Sequence, residues 1–391
     1  FVRDLILRYE NLDIDIVIEG DGIVFAKKLA ERKGCRVRSH KRFGTAVVIF
    51  PDGFKVDVAT ARLEYYERPG ALPTVELSSL KLDLYRRDFT INTMAIELDT
   101  ERFGVLIDFF GAQRDIKEKV IRVLHNLSFI EDPTRVFRAV RFSERYGFKI
   151  GEHTVKLIKN AVKIEIFRNL AGARLLDEMK FILEEERVVD ALKRMRELDL
   201  LRFIHPKVTL DKGGLAVVEK AREVLSWYGL LYKEREVSAW LVLMLGLTDP
   251  LSRDELADLV ERFAIAGRFK EIMVHGREEG LQALNALSYE KGLKNSTIYH
   301  LLKSIPLEVQ LYLMARTGRE ETRRSISHFI SRLSVEKCIL TGNDLREMGV
   351  PETPLCGDIL RRLLDKRLDG EITTREEEAA FVKGLLKTPS P

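Results

Sequence analysis

Cysteine is scarce in this 391-residue chain: Cys35, Cys338 and Cys356 stand far apart, form no CxxC pair and have no histidine at ligand spacing. That excludes a disulfide framework and a zinc site, and it predicts a reducing, cytoplasmic compartment. Net charge is also nearly absent. Lys and Arg number 65 against 61 Asp and Glu, and a balance of +4 over this length announces no nucleic-acid binder by total charge alone. Long apolar runs are missing. The longest, from Val237 to Leu247, is about half of the roughly 20 residues a membrane span needs and is flanked by charges, so it predicts a buried helix and no membrane role. Eleven prolines, 25 glycines and no fixed-period repeat exclude collagen-like, low-complexity and solenoid chains. No methionine precedes Phe1-Val2-Arg3-Asp4, so a segment upstream is expected. What remains, 45% hydrophobic and 32% charged residues, is the composition of a globular protein of two to four units.

The hydrophobic pattern changes along the chain. Up to about Leu124 it is short and mixed, with strand-like alternation at 13–18, 45–50 and 54–59 and a helical stretch at 23–32. Pro51-Asp52-Gly53 between two of these runs predicts a hairpin turn, since Pro presets φ and Gly accepts φ > 0. The span 62–83, with Pro69-Gly70 and Pro73, lacks a sustained period and predicts a long connection of the functional kind. Beyond Asp132 nearly every window has i, i+3, i+4 spacing, which predicts an all-helical remainder. The fold class is therefore α+β, a mixed head followed by a helical array.

Carboxylates are placed where chemistry could use them. Asp13-Ile14-Asp15-Ile16-Val17-Ile18 alternates without exception, so a strand buries the isoleucines and presents Asp13 and Asp15 together, about 6.5–7 Å apart. Such a pair suits a hard cation, although a solvated strand face has the same pattern. Asp57, between Val56 and Val58 on the hairpin, points the same way and could supply a third carboxylate for phosphoryl or nucleotidyl transfer.

Five segments, the aspartate pair among them, carry a resemblance. Val2-Arg3-Asp4, the Asp13/Asp15 pair, Arg86-Arg87-Asp88-Phe89-Thr90-Ile91-Asn92, Asp108 to Gly111 with Asp115, and Glu131-Asp132-Pro133-Thr134-Arg135 leading into Arg138-Ala139-Val140-Arg141-Phe142 occur in that order. Together they resemble the class II tRNA nucleotidyltransferases, which comprise CCA-adding, CC-adding and A-adding enzymes and bacterial poly(A) polymerases. The likeness is strong over residues 1 to roughly 200 and returns near Leu340 to Leu345 and Thr373 to Glu378.

The resemblance implies a polymerase-β-like nucleotidyltransferase head at 1–124, a helical neck at 125–205, a body at 206–334 and a tail at 335–391. It implies Mg²⁺ held by Asp13 and Asp15, and Arg87 with Asp88 at the triphosphate and ribose. Asn92 belongs to the same nucleotide-binding motif. Arg3 is expected near phosphate or in a structural pair with Asp4, and Arg86 at the surface. The family's Gly-Gly before the first motif is expected upstream of Phe1. Asp132 and Arg135 resemble the family's base-reading pair, and a carboxylate beside a guanidinium matches adenine and cytosine while opposing the polarity of uracil and guanine. An i, i+3 salt bridge between them is the structural alternative. Arg135, Arg138, Arg141 and Arg145 recur at helical spacing and could neutralise phosphates of ATP or primer, and Arg174 and Glu178 fit a helix bracing the base readers. Arg319, Arg323, Arg324 and Arg332 form a second basic stretch, open to RNA or to solvent. In the family a flexible loop corresponding to 62–83 accompanies addition of A. The expected function is transfer of AMP from ATP to the 3′ end of tRNA, held by its acceptor arm. A full CCA-adding enzyme using CTP as well, a poly(A) polymerase, and an RNA-binding protein with an inactive head are the alternatives.

Overall fold

The computed structural model describes residues 1–10, 13–65, 74–233, 235–289, 292–351 and 354–387. The chain divides into two compact units, 1–206 and 207–391. In the first, helix α1 (Val2–Leu7) precedes strand β1 (Ile14–Ile18). Ile14, Ile16 and Ile18 pack against a core of Ala26, Ala30, Ala46, Val48, Val56 and Val58, as the alternation requires. Helix α2 (Gly22–Lys33) is started by Asp21, whose carboxylate accepts the Ile23 and Val24 amides. Its first residue has to be glycine. A Cβ at Gly22 would stand 2.9 Å from the carbonyl carbon of Ala59 and the amide nitrogen of Thr60, so α2 lies against the sheet only because that side chain is missing.

Strands β2 (Arg36–His40), β3 (Thr45–Ile49) and β4 (Lys55–Thr60) complete a sheet of order β1-β4-β3-β2. β3 and β4 form the predicted hairpin, with Asp52 accepting the Phe54 amide and Gly53 at φ 87°. β1 and β4 run parallel, which sets Asp15 directly opposite Asp57.

The span 62–83 differs from its expectation. β5 (Arg62–Tyr65) pairs antiparallel with β6 (Thr74–Leu77), and α3 (Leu80–Tyr85) follows. Four-residue strands are too short for their alternation to stand out in a window. Residues 66–73, with Pro69-Gly70 and Pro73, lie outside the described residues. A second small ladder joins β7 (Met94–Ile96) to β8 (Leu106–Asp108), ahead of α4 (Ala112–Glu118). The stretch after residue 124 is not purely helical either: β9 (Val120–Ile121) pairs in parallel with β10 (Lys149–Ile150). Between these strands lie α5 (Ser128–Glu131) and α6 (Thr134–Tyr146), and α7 (Glu152–Lys163), α8 (Gly172–Leu183) and α9 (Val188–Glu197) follow.

The second unit contains no strand among the described residues. It begins with α10 (Lys212–Gly229), capped by Asp211, whose carboxylate accepts the Gly214 amide. α11 (Ala239–Leu247) is the apolar run and is buried throughout from Trp240 to Leu247. After α12 (Arg253–Arg262) and α13 (Gly267–Glu271), the chain makes one π-helical turn at Ile272–Gly276 before α14 (Arg277–Tyr289), α15 (Asn295–Leu302), α16 (Leu307–Arg316) and α17 (Glu320–Ser331). Of the second basic stretch, Arg323 and Arg324 pair with Glu320, and Arg319 bonds the Ser288 carbonyl. A separate core of Leu340, Leu345, Val350, Ile359, Leu363 and Val382 joins α18 (Gly342–Glu347), α19 (Pro354–Leu368) and α20 (Arg375–Lys387). No described helix is long and apolar enough to cross a membrane.

Candidate active site

Asp13, just before β1, and Asp15 within it lie on the strand face away from the isoleucines, and Asp57 meets Asp15 from β4. Partial desolvation and then the charge of Asp13 push the Asp15 carboxyl up, against the pull of Arg87. Asp57 is raised by the same two causes. Carboxylates that oppose each other's ionisation gain most from a cation, and an all-oxygen donor set is what a hard dication takes. The residues therefore fit such an ion at Asp13 and Asp15. Asp57 stands opposite Asp15 but outside the cleft's lining, and among the described residues no group of three His, Cys, Asp or Glu is placed to hold one metal ion.

The segment 86–92 is pinned from both sides. Phe89 bridges to Val123, the Thr90 amide donates to the Arg122 carbonyl, and the Thr90 hydroxyl donates to buried Asp115 at 2.6 Å. Asp108 accepts the Ala112 and Gln113 amides at 2.8 and 3.0 Å, which fixes the start of α4 and with it Asp115. Asp88 is buried and accepts from Asn92 Nδ2 and Arg138 Nε, both at 2.8 Å. Burial favours its neutral form, yet the charge of Arg138 and these hydrogen bonds outweigh burial and hold the carboxyl below its ordinary value. Fully buried Asp83 receives Arg86 at 2.7 Å and Arg87 at 3.4 Å. Arg87 Nε stays buried without a hydrogen-bond partner among the described residues, a donor left available to a ligand.

Arg3 realises the structural pairing. It bonds Asp4 at 2.8 and 2.9 Å, contacts Asn92 Oδ1, and lies 5.1 and 4.8 Å from the ring centroids of Phe142 and Tyr146. The Tyr146 hydroxyl donates to Asp4 at 3.0 Å.

Pro133 disfavours helical backbone in the residue before it, and Asp132 is accordingly extended, at φ −136° and ψ 97°, between α5 and α6. Its carboxylate accepts the Thr134 amide and hydroxyl at 3.0 and 2.7 Å and Arg174 at 2.9 and 3.0 Å. Buried Arg135 donates to the Ser128 hydroxyl at 2.9 Å and the Arg86 carbonyl at 2.6 Å. The i, i+3 salt bridge is therefore replaced by separate partners for each group, and Arg174 braces Asp132 as the resemblance implied. Glu178 stands 3.7 Å from both Arg138 and Arg141, and Glu185 meets Arg141 and Arg145. The arginine face of α6 is thus largely neutralised by carboxylates instead of standing free for phosphates.

A cleft of about 460 Å³ brings together Arg3, Asp13, Asp15, Arg87, Asp88, Asn92, Asp132, Arg135 and Arg138, whereas Asp57 and Arg141 lie outside its lining. Glu64 and Arg86 also line it, and neither was singled out for the site by sequence. Glu64 accepts Arg62 at 3.1 Å and Arg86 at 2.8 Å, so Arg86 bridges Glu64 and Asp83 and is no surface residue. Its signal was available: Asp83 stands three and four residues before two arginines, the spacing of helical ion pairs.

Two family models match the first unit and the start of the second: the Poly A polymerase head domain over residues 1–122, and the probable RNA and SrmB-binding site of polymerase A over 147–211. A solved CCA-adding enzyme, apo form II, superposes with a TM-score of 0.81 at 35% identity over 98% of this chain and 90% of that one. The chain belongs to the class II tRNA nucleotidyltransferase family. The Thermotoga maritima CCA-adding enzyme complexed with tRNA-CCA, another tRNA nucleotidyltransferase, matches at 32% identity with a TM-score of 0.78, covering 99% of this chain and 90% of that one. The A-adding tRNA nucleotidyltransferase of Geobacter sulfurreducens is 50% identical over 382 residues, 97% of this chain, and the chain spans 43% of that relative's length. In this family member the two matched segments leave α6, with Arg135 and Arg138, between them.

Proposed function

We propose that this protein transfers AMP from ATP to the 3′ end of tRNA in the cytoplasm, as an A-adding nucleotidyltransferase. The observation that carries the reading is the meeting of Asp132 and Arg135 with Asp13, Asp15 and Arg87 in one cleft. The 50%-identical A-adding relative supports the choice of nucleotide. We further propose the fourfold division into head 1–124, neck 125–205, body 206–334 and tail 335–391.

Asp13 and Asp15 would hold Mg²⁺, which when bound supplies charge neutralisation at the transferring phosphate. Around that position the side chains divide the substrate between them. Arg87 offers its unpartnered Nε to a triphosphate oxygen. Asp88, fixed by Asn92 and Arg138, keeps lone pairs for a ribose hydroxyl. Arg3 holds Asn92, and through it that carboxylate. Asp132 accepts the adenine N6 amine while Arg135 donates to N1, leaving the primer hydroxyl to attack the α-phosphate in line with departing pyrophosphate. Uracil or guanine would set a carbonyl against Asp132 and an N–H against Arg135, an opposed polarity that disfavours both bases. Cytosine satisfies the same pair, and CCA-adding relatives align over most of this chain, so a CCA-adding enzyme is the second reading.

Replacing Asp132 with Ala tests the assignment. Discrimination of ATP against UTP and GTP in single-turnover assays should shrink as the rate falls; an unchanged preference would place selection elsewhere.

A further inference from the structure

A larger cavity, of about 970 Å³, lies wholly within the second unit. Its walls come from the ends of α10, α15 and α17 and from the π-helical turn at Ile272–Gly276. Turns of that type are uncommon and gather at functional sites. Gly276 makes the close approach there: a Cβ would stand 3.1 Å from the Pro306 ring.

Two kinds of side chain in the lining could engage a ligand. The first is cationic: Lys233, Arg235, Arg268 and Lys303 against two carboxylates, Glu271 and Glu279. Arg268 is engaged by buried Glu308, but Lys233 donates to the Ser331 carbonyl, and neither Arg235 nor Lys303 has a carboxylate partner among the described residues. This contrasts with α6, whose arginines are met by acids. The second kind is aromatic. Tyr299 is half-buried, packs on Phe329 at a 6.0 Å centroid distance and has Lys303 Nζ 5.8 Å from its ring. Tyr232 is 90% exposed, and its backbone is left-handed at φ 49°. A bulky residue in that conformation is strained, and here it holds a ring in water at the rim of a cationic cavity.

We propose that this cavity binds an unstacked nucleotide of the RNA substrate, with the base stacked on Tyr232 and the flanking phosphates met by Arg235 and Lys303. Aromatic faces take any base, and unneutralised cations beside them take the backbone, which is the chemistry of single-strand binding. The proposal rests on the reading of tRNA as substrate. It adds a second RNA contact, outside the catalytic cleft and outside residues 147–211.

Two variants test it with fluorescein-labelled tRNA ending in CC, followed by anisotropy at fixed salt. Tyr232→Gly removes the ring and relieves the backbone, so melting temperature should not fall while tRNA affinity drops about tenfold. Lys303→Ala should weaken binding to a similar degree, and both variants should keep the parental rate at saturating tRNA. A 4-thiouridine tRNA should crosslink to this unit in the parent and lose that crosslink in Tyr232→Gly. Unchanged affinity in both variants, with the parent binding and extending tRNA, would overturn this inference alone. Displacement of tRNA by poly-glutamate that is equally sensitive to both substitutions would overturn it in favour of an acidic protein partner. A parent that neither binds nor extends tRNA would overturn it together with the proposed function.

Discussion

Asp15 stands between two other carboxylates, and the charges of Asp13 and Asp57 both add to the desolvation that resists its ionisation. A carboxyl raised in the folded state weakens folding above its raised value and does nothing below the ordinary one. Asp15→Asn should therefore leave the metal-free protein at neutral pH more heat-stable than the parent, an advantage that vanishes in acid, while nucleotide transfer falls by orders of magnitude. Melting in EDTA beside a transfer assay reads both, and near-normal turnover would remove Asp15 from the site. Asp88 has the opposite sign. Its carboxyl is held below the ordinary 3.8, so its contribution is present above that value and is lost as pH falls through the lowered one. Asp88→Asn leaves Arg138 only the longer 3.7 Å pairing with Glu178, and because Arg138 keeps some exposure the cost should be roughly 1–3 kcal/mol, short of the cost for a fully buried pair. A denaturant midpoint equal to the parent's would contradict this. At this scale the sequence was readable where a pattern forced geometry, as with Asp15 in an alternating strand. It was not readable for Glu64, whose cleft partner Arg86 lies 22 residues on and whose strand is too short to show a period.

The helix–sheet contact at Gly22 is the element on which the carboxylate strand depends. With Ala59 and Thr60 backbone atoms 2.9 Å from a modest Cβ, neither side can yield without moving α2 off β4. Gly22→Ala should cost about 1–3 kcal/mol and reduce transfer with it, since β4 registers against β1 at Asp15. Urea denaturation checks the first and a rate assay the second; a midpoint and rate equal to the parent's would mean the contact is looser than drawn. The hairpin around Pro51-Asp52-Gly53 was legible because its turn residues each do one thing, Asp52 capping Phe54 and Gly53 taking positive φ. The β9–β10 pair was not, because two-residue strands have no alternation and their pairing is set by a distant fold. The arginine row of α6 was legible as a row, but the acids that meet it were not. Its carboxylate partners Asp88, Glu178 and Glu185 come from other elements, which helical spacing within one segment cannot reveal.

For the molecule as a whole, the change from mixed to helical texture anticipated a head and a helical remainder, and five ordered motifs anticipated the family. The proposed action on RNA leaves the nucleotide to be decided, because a carboxylate and a guanidinium at Asp132 and Arg135 would fit adenine and cytosine alike. The decisive measurement offers ATP alone, CTP alone, or both, to tRNA ending just before CCA and to tRNA ending in CC, and sizes the products at single-nucleotide resolution. The account expects a single A added from ATP to tRNA ending in CC, no extension by CTP, and no long tail. Addition of C residues to the shorter tRNA, or a ladder of many A residues on either, would contradict it.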